Sequence, residues 1–436
     1  MGAGATFVAG PAHFGLSVSY ADSFYGLPTR FSLDPGAVVP NTLIDLHQTR
    51  VDFRAELPVQ NALIERIRVR FGWADYAYDE LLDTGEVVST FLNQAFEARA
   101  EAGGVQRGVW RGTTGIQLYF RDFSVRAEAP LLPATETTQI ATFSHHEFDL
   151  APLKVEAGWR YETTAIVSQP DPILGNPALD RDFTSISATL GAGYALARTW
   201  NIGLTGFYSE RAPVVEELFT QGVAPGTQGV LLGNPALDEE TSWGLEGVVR
   251  GYGARWSIEA SAYYTRFPDY IFASQTAAVV GGLPVFQFIA DSAEYYGFEI
   301  QGKADVATFG GWTVGLDALA DYTRAKPLDG GGAVPRIPPL RILGGMTARS
   351  DGLDGRIELE WIAEQDRISA FEKPTADFFI LSASANWKPL GEDKPLTLGV
   401  QANNILDATA RRHASFLKDF APLAGADVRV NARWSF

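Results

Sequence analysis

Apolar and polar residues alternate with period two over long stretches of this chain, and helical spacing is almost absent. In Arg66-Ile67-Arg68-Val69-Arg70-Phe71-Gly72-Trp73 every second residue is apolar, and those between are Arg or Gly. Lys154-Val155-Glu156-Ala157-Gly158-Trp159-Arg160-Tyr161-Glu162 repeats the pattern, as does Arg356-Ile357-Glu358-Leu359-Glu360-Trp361. Such alternation sends one set of side chains to each face of a strand. A soluble antiparallel sheet with one solvated face also alternates. These segments, however, often run to about a dozen residues, where strands of soluble domains average about 5–6. They recur from one end of the chain to the other, with Trp and Tyr on the apolar face. The pattern predicts an all-β protein, a transmembrane antiparallel up-and-down β-barrel with an apolar lipid face, a polar lumen and aromatic girdles.

The connections sort by length. Short turns are predicted at Pro58–Asn61, Gly103–Gly108, Leu150–Pro152, Ala197–Thr199, Tyr252–Ala254, Ala307–Gly311, Ser350–Asp354 and Pro389–Lys394. Between them fall longer polar stretches: Gly26–Asn41, Asp79–Val88, Ala127–Thr135, Gln169–Asp182, Val214–Glu240, Ser274–Pro284, Pro327–Pro335, Ser369–Pro374 and Thr409–Ala426. Outer-membrane barrels have short periplasmic turns and longer external loops, so this alternation also orients the strands. The segments between connections number 19. An odd count places Met1 outside, whereas single-chain bacterial barrels have even strand numbers. An odd number of strands is therefore expected to be missing at the N-terminus.

Composition narrows the function classes. With 35 basic and 52 acidic residues the formal charge is −17, which argues against a nucleic-acid partner, since phosphate binding needs clustered Lys and Arg. The absence of Cys removes disulfides, thiolate metal sites and a Cys nucleophile. No run approaches the length of a transmembrane helix, and Met1-Gly2-Ala3-Gly4-Ala5 does not start a signal peptide. Gly191-Ala192-Gly193 sits in an alternating strand and lacks a third glycine, and no Gly-x-Ser-x-Gly, His-Glu-x-x-His or phosphate loop is present. The expectation is a protein that is not an enzyme and calls for no cofactor.

Tyr208-Ser209-Glu210-Arg211-Ala212-Pro213 with Glu217-Leu218-Phe219, followed by Gly233-Asn234-Pro235-Ala236-Leu237, Glu240 and Glu246, resembles a motif series of TonB-dependent outer-membrane receptors. Tyr296-Gly297-Phe298-Glu299, Arg336-Ile337-Pro338-Pro339-Leu340-Arg341, Asn403-Asn404-Ile405-Leu406-Asp407 and His413–Asp419 are similar to later strand openings and the last hairpin of that family. Phe14–Val18 with Tyr25-Gly26-Leu27-Pro28 resembles its zinc-uptake branch. The resemblance implies a Gram-negative outer-membrane location and a barrel of 22 strands filled by an N-terminal plug. Residues 1–436 would then be the barrel domain, with the plug and three strands missing. It also implies uptake of a metal ion or metal chelate, of the siderophore kind or zinc. The implied partners are outer-membrane lipid, a plug in the same or a separate chain, the TonB complex, the barrel-assembly machinery and the metal or chelate ligand. A plug-less passive diffusion porin is the alternative. The chain departs from the family in having no energy-coupling box. Only His413 falls in a long loop, and Ala424-Gly425-Ala426-Asp427 stands where the family often has Pro-Gly-Arg.

Candidate sites follow. His145 and Glu147 share a strand face and could hold a divalent ion with help from a neighbouring strand; otherwise they form a polar pair near a periplasmic turn. In the longest loop, Glu216, Glu217, Asp238, Glu239 and Glu240 could draw cations to a ligand-capturing rim, or simply be solvated. The hexapeptide Gly-Asn-Pro-Ala-Leu-Asp occurs at Gly175–Asp180 and again at Gly233–Asp238, which points to a shared turn chemistry. His413, beside Arg411 and Arg412, is expected to be a solvated loop residue; an acid–His pair such as Asp419 and His413 is what a hydrolase sited at a barrel rim would use. The last strand alternates Val428, Val430, Ala432, Trp434 and Phe436 outward, and Trp434 with the terminal Phe436 resembles the signal read by the assembly machinery.

Overall fold

A computed structural model describes residues 1–27, 41–59, 61–224, 229–328, 333–391 and 395–435. Among them the chain forms 21 strands and one short helix. They divide into two units, residues 1–192, 205–243 and 267–292 in the first and 193–204, 244–266 and 293–436 in the second.

In the first unit β1 (Gly2–Ala9), β2 (Ala12–Gly26), β3 (Thr42–Pro58), β4 (Ile64–Leu82), β5 (Val87–Gly104), β6 (Trp110–Ala127), β7 (Thr135–Leu150) and β8 (Leu153–Ser168) pair consecutively and antiparallel. β9 (Leu179–Ala197) and β10 (Trp200–Arg211) contribute residues to both units. The long loop that follows carries α1 (Val215–Phe219), β11 (Gln221–Ala224) and β12 (Gly229–Leu232). β13 (Glu240–Gly253), β14 (Trp256–Val280) and β15 (Leu283–Phe309) again run through both units. The second unit continues with β16 (Trp312–Pro327), β17 (Arg341–Ser350), β18 (Leu353–Ile362), β19 (Phe378–Trp387), β20 (Leu396–Asn403) and β21 (Asp427–Trp434). From β15 onward each strand pairs antiparallel with the next.

Setting aside β11 and β12, which lie inside the longest loop, the strands match the 19 expected from the pattern. Two segments predicted as long loops are strand instead. β4 and β5 extend into Asp79–Val88 and leave four residues between Leu82 and Val87. There the Tyr78 ring stacks on Phe91 across the strands at 4.4 Å and the Thr90 hydroxyl donates to Asp79 at 2.6 Å, so cross-strand pairs hold a polar ladder together. β14 and β15 likewise consume Ser274–Pro284, turning on Gly281 and Gly282, whose φ angles of 58° and 81° suit a two-residue hairpin turn.

The apolar face is bare. Leu16, Leu190, Leu204, Leu245 and Val430 are between 53% and 80% exposed, as a face that meets lipid must be. Trp110, Trp200, Trp256 and Trp312 each open a strand after a short turn, and Trp387 closes one before a short turn. Trp434 ends β21 and is 54% exposed, while Phe436 lies outside the described residues. The largest buried cluster sits at the long-loop end of the first unit, where Phe91, Phe123, Ile166 and Phe183 pack with Leu132, Val215, Leu218, Phe219, Leu237 and Ile271. Phe91 and Phe123 stand on the same strand faces as Glu97 and Arg121, so the polar face becomes apolar where the loop covers it.

Candidate functional site

The long loop of the first unit folds onto these strand ends. Helix α1 has only five residues, and it buries Val215, Leu218 and Phe219 in the apolar cluster. The Glu217 carboxylate accepts the Val214 backbone N–H at 2.9 Å and so satisfies a donor at the helix start. β11 and β12 form a hairpin, and β12 lies parallel to β15 with Val230 opposite Val285. The Gln287 side-chain amide donates to the Gly233 carbonyl at 3.0 Å and ties the end of that hairpin to β15.

Arginines account for most of the loop's acids. Arg211, the last residue of β10, donates to both Glu217 oxygens at 2.9 and 3.0 Å and to both Glu240 oxygens at 2.9 and 3.1 Å. Glu240, a buried residue, also accepts the Ile271 N–H at 2.8 Å. Glu216 accepts from Arg121 of β6 at 3.2 Å. Glu239 accepts the Thr184 N–H at 2.9 Å. Asp238 meets Arg181 at 3.3 Å, yet its side chain stays 87% exposed. Arg181 also donates to the Pro235 and Leu237 carbonyls. The residue that follows the first hexapeptide copy therefore clasps the second.

The two copies place different demands on their glycines. Gly175 has a φ of 70°, in the left-handed region, with open space where a Cβ would stand. Gly233 needs no unusual φ; a Cβ there would come within 2.6 Å of the Leu218 carbonyl. Close approach of β12's end to α1, rather than turn geometry, selects it.

The expected metal pair His145 and Glu147 lies on β7. Glu147 meets Arg111 at 3.3 Å and Lys154 at 3.2 Å, and His145 stands 4.0 Å from Glu156. His146 points the other way, stacks on Trp110 and accepts its indole N–H at 3.2 Å. No group of three or more His, Asp or Glu among the described residues could hold a metal ion.

His413 is not solvated: it is 2% exposed in the second unit. Its acid partner is Glu372, at 3.2 Å, whereas Asp419 pairs with Lys373. Glu372 Oε1 also accepts from Lys418 Nζ at 2.7 Å and from the Arg336 backbone N–H at 3.0 Å, and Oε2 accepts the Ser369 N–H at 3.1 Å. The Thr375 hydroxyl bonds His413 Nδ1 at 3.0 Å. One buried carboxylate thus joins segments from the loops before β17, before β19 and before β21. Burial alone would push its pKa up, but His413, Lys418 and the Ser369 N–H hold it well below the usual carboxylate range. The sequence pattern marks neither this node nor the roles of Arg121, Arg181 and Arg211. Arg211 lies within a family-like motif, as do Arg336, His413 and Lys418 of the node, whereas Glu372, Arg121 and Arg181 do not.

A family model described as TonB dependent receptor-like, beta-barrel, matches residues 3–405. Among solved structures, the copper transporter OprC superposes with a TM-score of 0.81 at 14% identity, covering 99% of this chain and 73% of that one. The FrpB iron transporter from Neisseria meningitidis gives 0.76 at 13% identity, covering 99% and 70%. The ferric citrate transporter FecA gives 0.68 at 13% identity, covering 91% and 63%. At these identities the likeness is one of fold.

Proposed function

The chain belongs to the TonB-dependent receptor-like β-barrel family, and on that premise we propose that it is the barrel domain of a Gram-negative outer-membrane receptor for active uptake of a metal ion or metal chelate. The observation that carries this reading is the contrast between strand ends. Short-turn ends carry tight turns, tryptophans and, beside Leu150–Pro152, an ion-paired patch around Glu147, while a long-loop end holds a folded layer of helix, hairpin and ion pairs over a buried apolar cluster. A fixed layer of that kind suits capture of a ligand on a rigid scaffold. The exposed apolar face and the tryptophans at strand ends support a membrane location. The transport named for OprC, FrpB and FecA supports the ligand class.

Within this reading the loop 214–240 is the capture element. Glu216, Glu217, Glu239 and Glu240 shape it through Arg121, Arg211 and Thr184, and Asp238 is the acid a cation reaches first. His145 and Glu147 serve as an ion-paired element of the polar face; a divalent ion there would have to displace Arg111 and Lys154 from Glu147. Trp434 and Phe436 act as the signal for assembly into the membrane. Energised uptake needs a plug and a TonB complex as partners.

The test is uptake of labelled ferric citrate, copper and zinc by cells with and without the gene product, measured with and without an uncoupler. Saturable uptake of one of them that the uncoupler abolishes is expected. Uptake that is non-saturable and indifferent to the uncoupler would overturn the reading in favour of a diffusion porin.

A further inference from the structure

On the apolar face of the second unit the side chains change character along each strand. On β16 this face reads Leu316, Ala318, Ala320, Tyr322, Arg324 and Lys326: apolar first, then aromatic, then basic. Register sets Tyr296 of β15 opposite Arg324 and Phe298 opposite Tyr322, with Ile300 and Ala320 below them. Ile300 and Leu316 are exposed, as residues that meet lipid must be. The Phe298 and Tyr322 rings pair across the strands with centroids 6.0 Å apart, in the manner of an aromatic girdle at a membrane interface. Arg324 follows Trp312 by one spanning length, since a tilted strand needs about 9–11 residues to cross a bilayer. Arg324 and Lys326 therefore stand at headgroup depth on the long-loop side.

Two further bases join them. Arg266 of β14 is exposed and lies two residues past Tyr264, whose hydroxyl donates to Glu294 at 3.0 Å, so it shares this face. Arg367, in the loop between β18 and β19, holds its guanidinium 5.8 Å from the Tyr322 ring centroid. Glu294 is the one acid that the β15–β16 register places on this face, and it meets Lys326 at 2.7 Å. Arg266 and Arg324 make no ion pair or side-chain hydrogen bond among the described residues. These side chains point away from the polar face, so a plug in the lumen does not reach them. The basic band is local, in a chain whose net charge is −17. In the first unit the step past the aromatic row Trp73, Phe96 and Phe120 is instead Asp75, Gln94 and Asp122.

We propose that Arg266, Arg324, Lys326 and Arg367 form a docking site for the phosphorylated headgroup of an outer-leaflet glycolipid. A guanidinium presents N–H groups in a fixed fork that matches a phosphate, and clustered bases at a membrane surface draw anionic lipid. The Phe298 and Tyr322 rings just below the bases lie where the upper acyl chains pack. Charge complementarity selects the occupant: four bases against one paired acid, set on a lipid-facing wall at the depth of the headgroups. The inference rests on the outer-membrane location in the proposed function and is independent of which metal or chelate is taken up.

The probe is lipid A carrying both of its phosphates, added to the purified full chain in detergent, with the bound fraction read by native mass spectrometry. Dephosphorylated lipid A and inorganic phosphate are the comparisons. Saturable binding of the phosphorylated lipid is expected, weaker by at least about tenfold for the dephosphorylated form and for R266Q/R324Q, the effect of two bases on an anionic lipid. R266K/R324K should retain more affinity than the glutamine pair, and the charge-matched control R429Q/R433Q, on β21, should bind like the unaltered chain. Equal binding of the dephosphorylated lipid, or equal loss in the control, would overturn the proposal. Inorganic phosphate binding as tightly as the lipid would assign the site to the free anion and overturn it too. If the double variant does not assemble, R324Q alone carries the test, and unchanged affinity there would sink the site. Cell fractionation separates the two readings. A chain recovered from the outer membrane that binds no lipid A removes only this site, whereas recovery from the inner membrane removes the location on which it rests.

Discussion

Arg211 in the first unit and Glu372 in the second each gather loop segments around one charged side chain, with opposite sign and unequal backing. Arg211 is two-fifths exposed and sits between Glu217 and Glu240, beside a buried cluster of ten apolar residues. The Glu372 side chain is only 8% exposed and is bonded by His413 and Lys418, and among the described residues a buried apolar cluster of that unit consists of Ile362, Phe378 and Ala410. Burial of apolar surface outweighs ion pairing wherever there is enough of it. In the first unit, then, the ion pairs align a loop that packing already holds. In the second we expect the polar node itself to do the holding, since the three-residue cluster offers far less apolar area than the ten-residue one.

The widest expected difference comes from removing the second node. Glu372→Gln keeps the shape but leaves Lys418 without its counter-charge in a buried site, which costs about 3–5 kcal/mol. Amide exchange in residues 333–340, 363–377 and 404–426 should rise at least a hundredfold, with β17 and β18 unaffected. Unaltered protection in those segments would show that packing suffices there too, and the contrast would fail.

Arg211→Met should do less. It strands Glu217 and Glu240, but solvent reaches the site and Ile271 still donates to Glu240. A loss of about 1–2 kcal/mol is expected, below the fully buried case because of screening. Exchange across residues 214–224 should rise about tenfold while the loop stays docked. Release of the whole loop, with exchange as fast as in an unfolded peptide, would mean that the apolar cluster does not carry it.

The fold was legible because its signal is local and repeated: period two, aromatic residues on one face, Gly and Pro at the turns. What escaped depends on partners far along the chain. β11 and β12 have four residues each, too few for alternation to register, and β12 exists as a strand by lying on β15. The polar run at Asp79–Val88 reads as loop until Tyr78 is seen stacked on Phe91. The candidate site shows the same limit more sharply. Its acids were visible as charges, but the partners that fix their roles lie 95 residues away for Glu216 and 29 for Glu240. Glu372, 46 residues from its partner Lys418, carried no local mark at all. Register decides which charges meet, and a single strand's pattern does not contain the register of its neighbours.

Acid gives the finest way to separate the two regions. The Glu372 carboxyl is held below the ordinary range in the folded loops, so its folded pKa lies under its unfolded value of about 4.3. A depressed carboxylate contributes stability that is complete above the unfolded value and is lost as pH falls through the folded one. Between pH 7 and about pH 5 the difference in loop protection between the unaltered chain and E372Q should therefore stay constant. Below about pH 4 it should shrink by up to about 1.4 kcal/mol per pH unit, the linkage limit for one proton. Exchange of residues 363–377 in both proteins at pH 5, 4 and 3 reads this directly. A difference that stays constant down to pH 3 would mean that the carboxylate's charge is not what locks these loops, and that one of its hydrogen bonds, from the Ser369 or the Arg336 N–H, which the single glutamine oxygen can still accept, is enough.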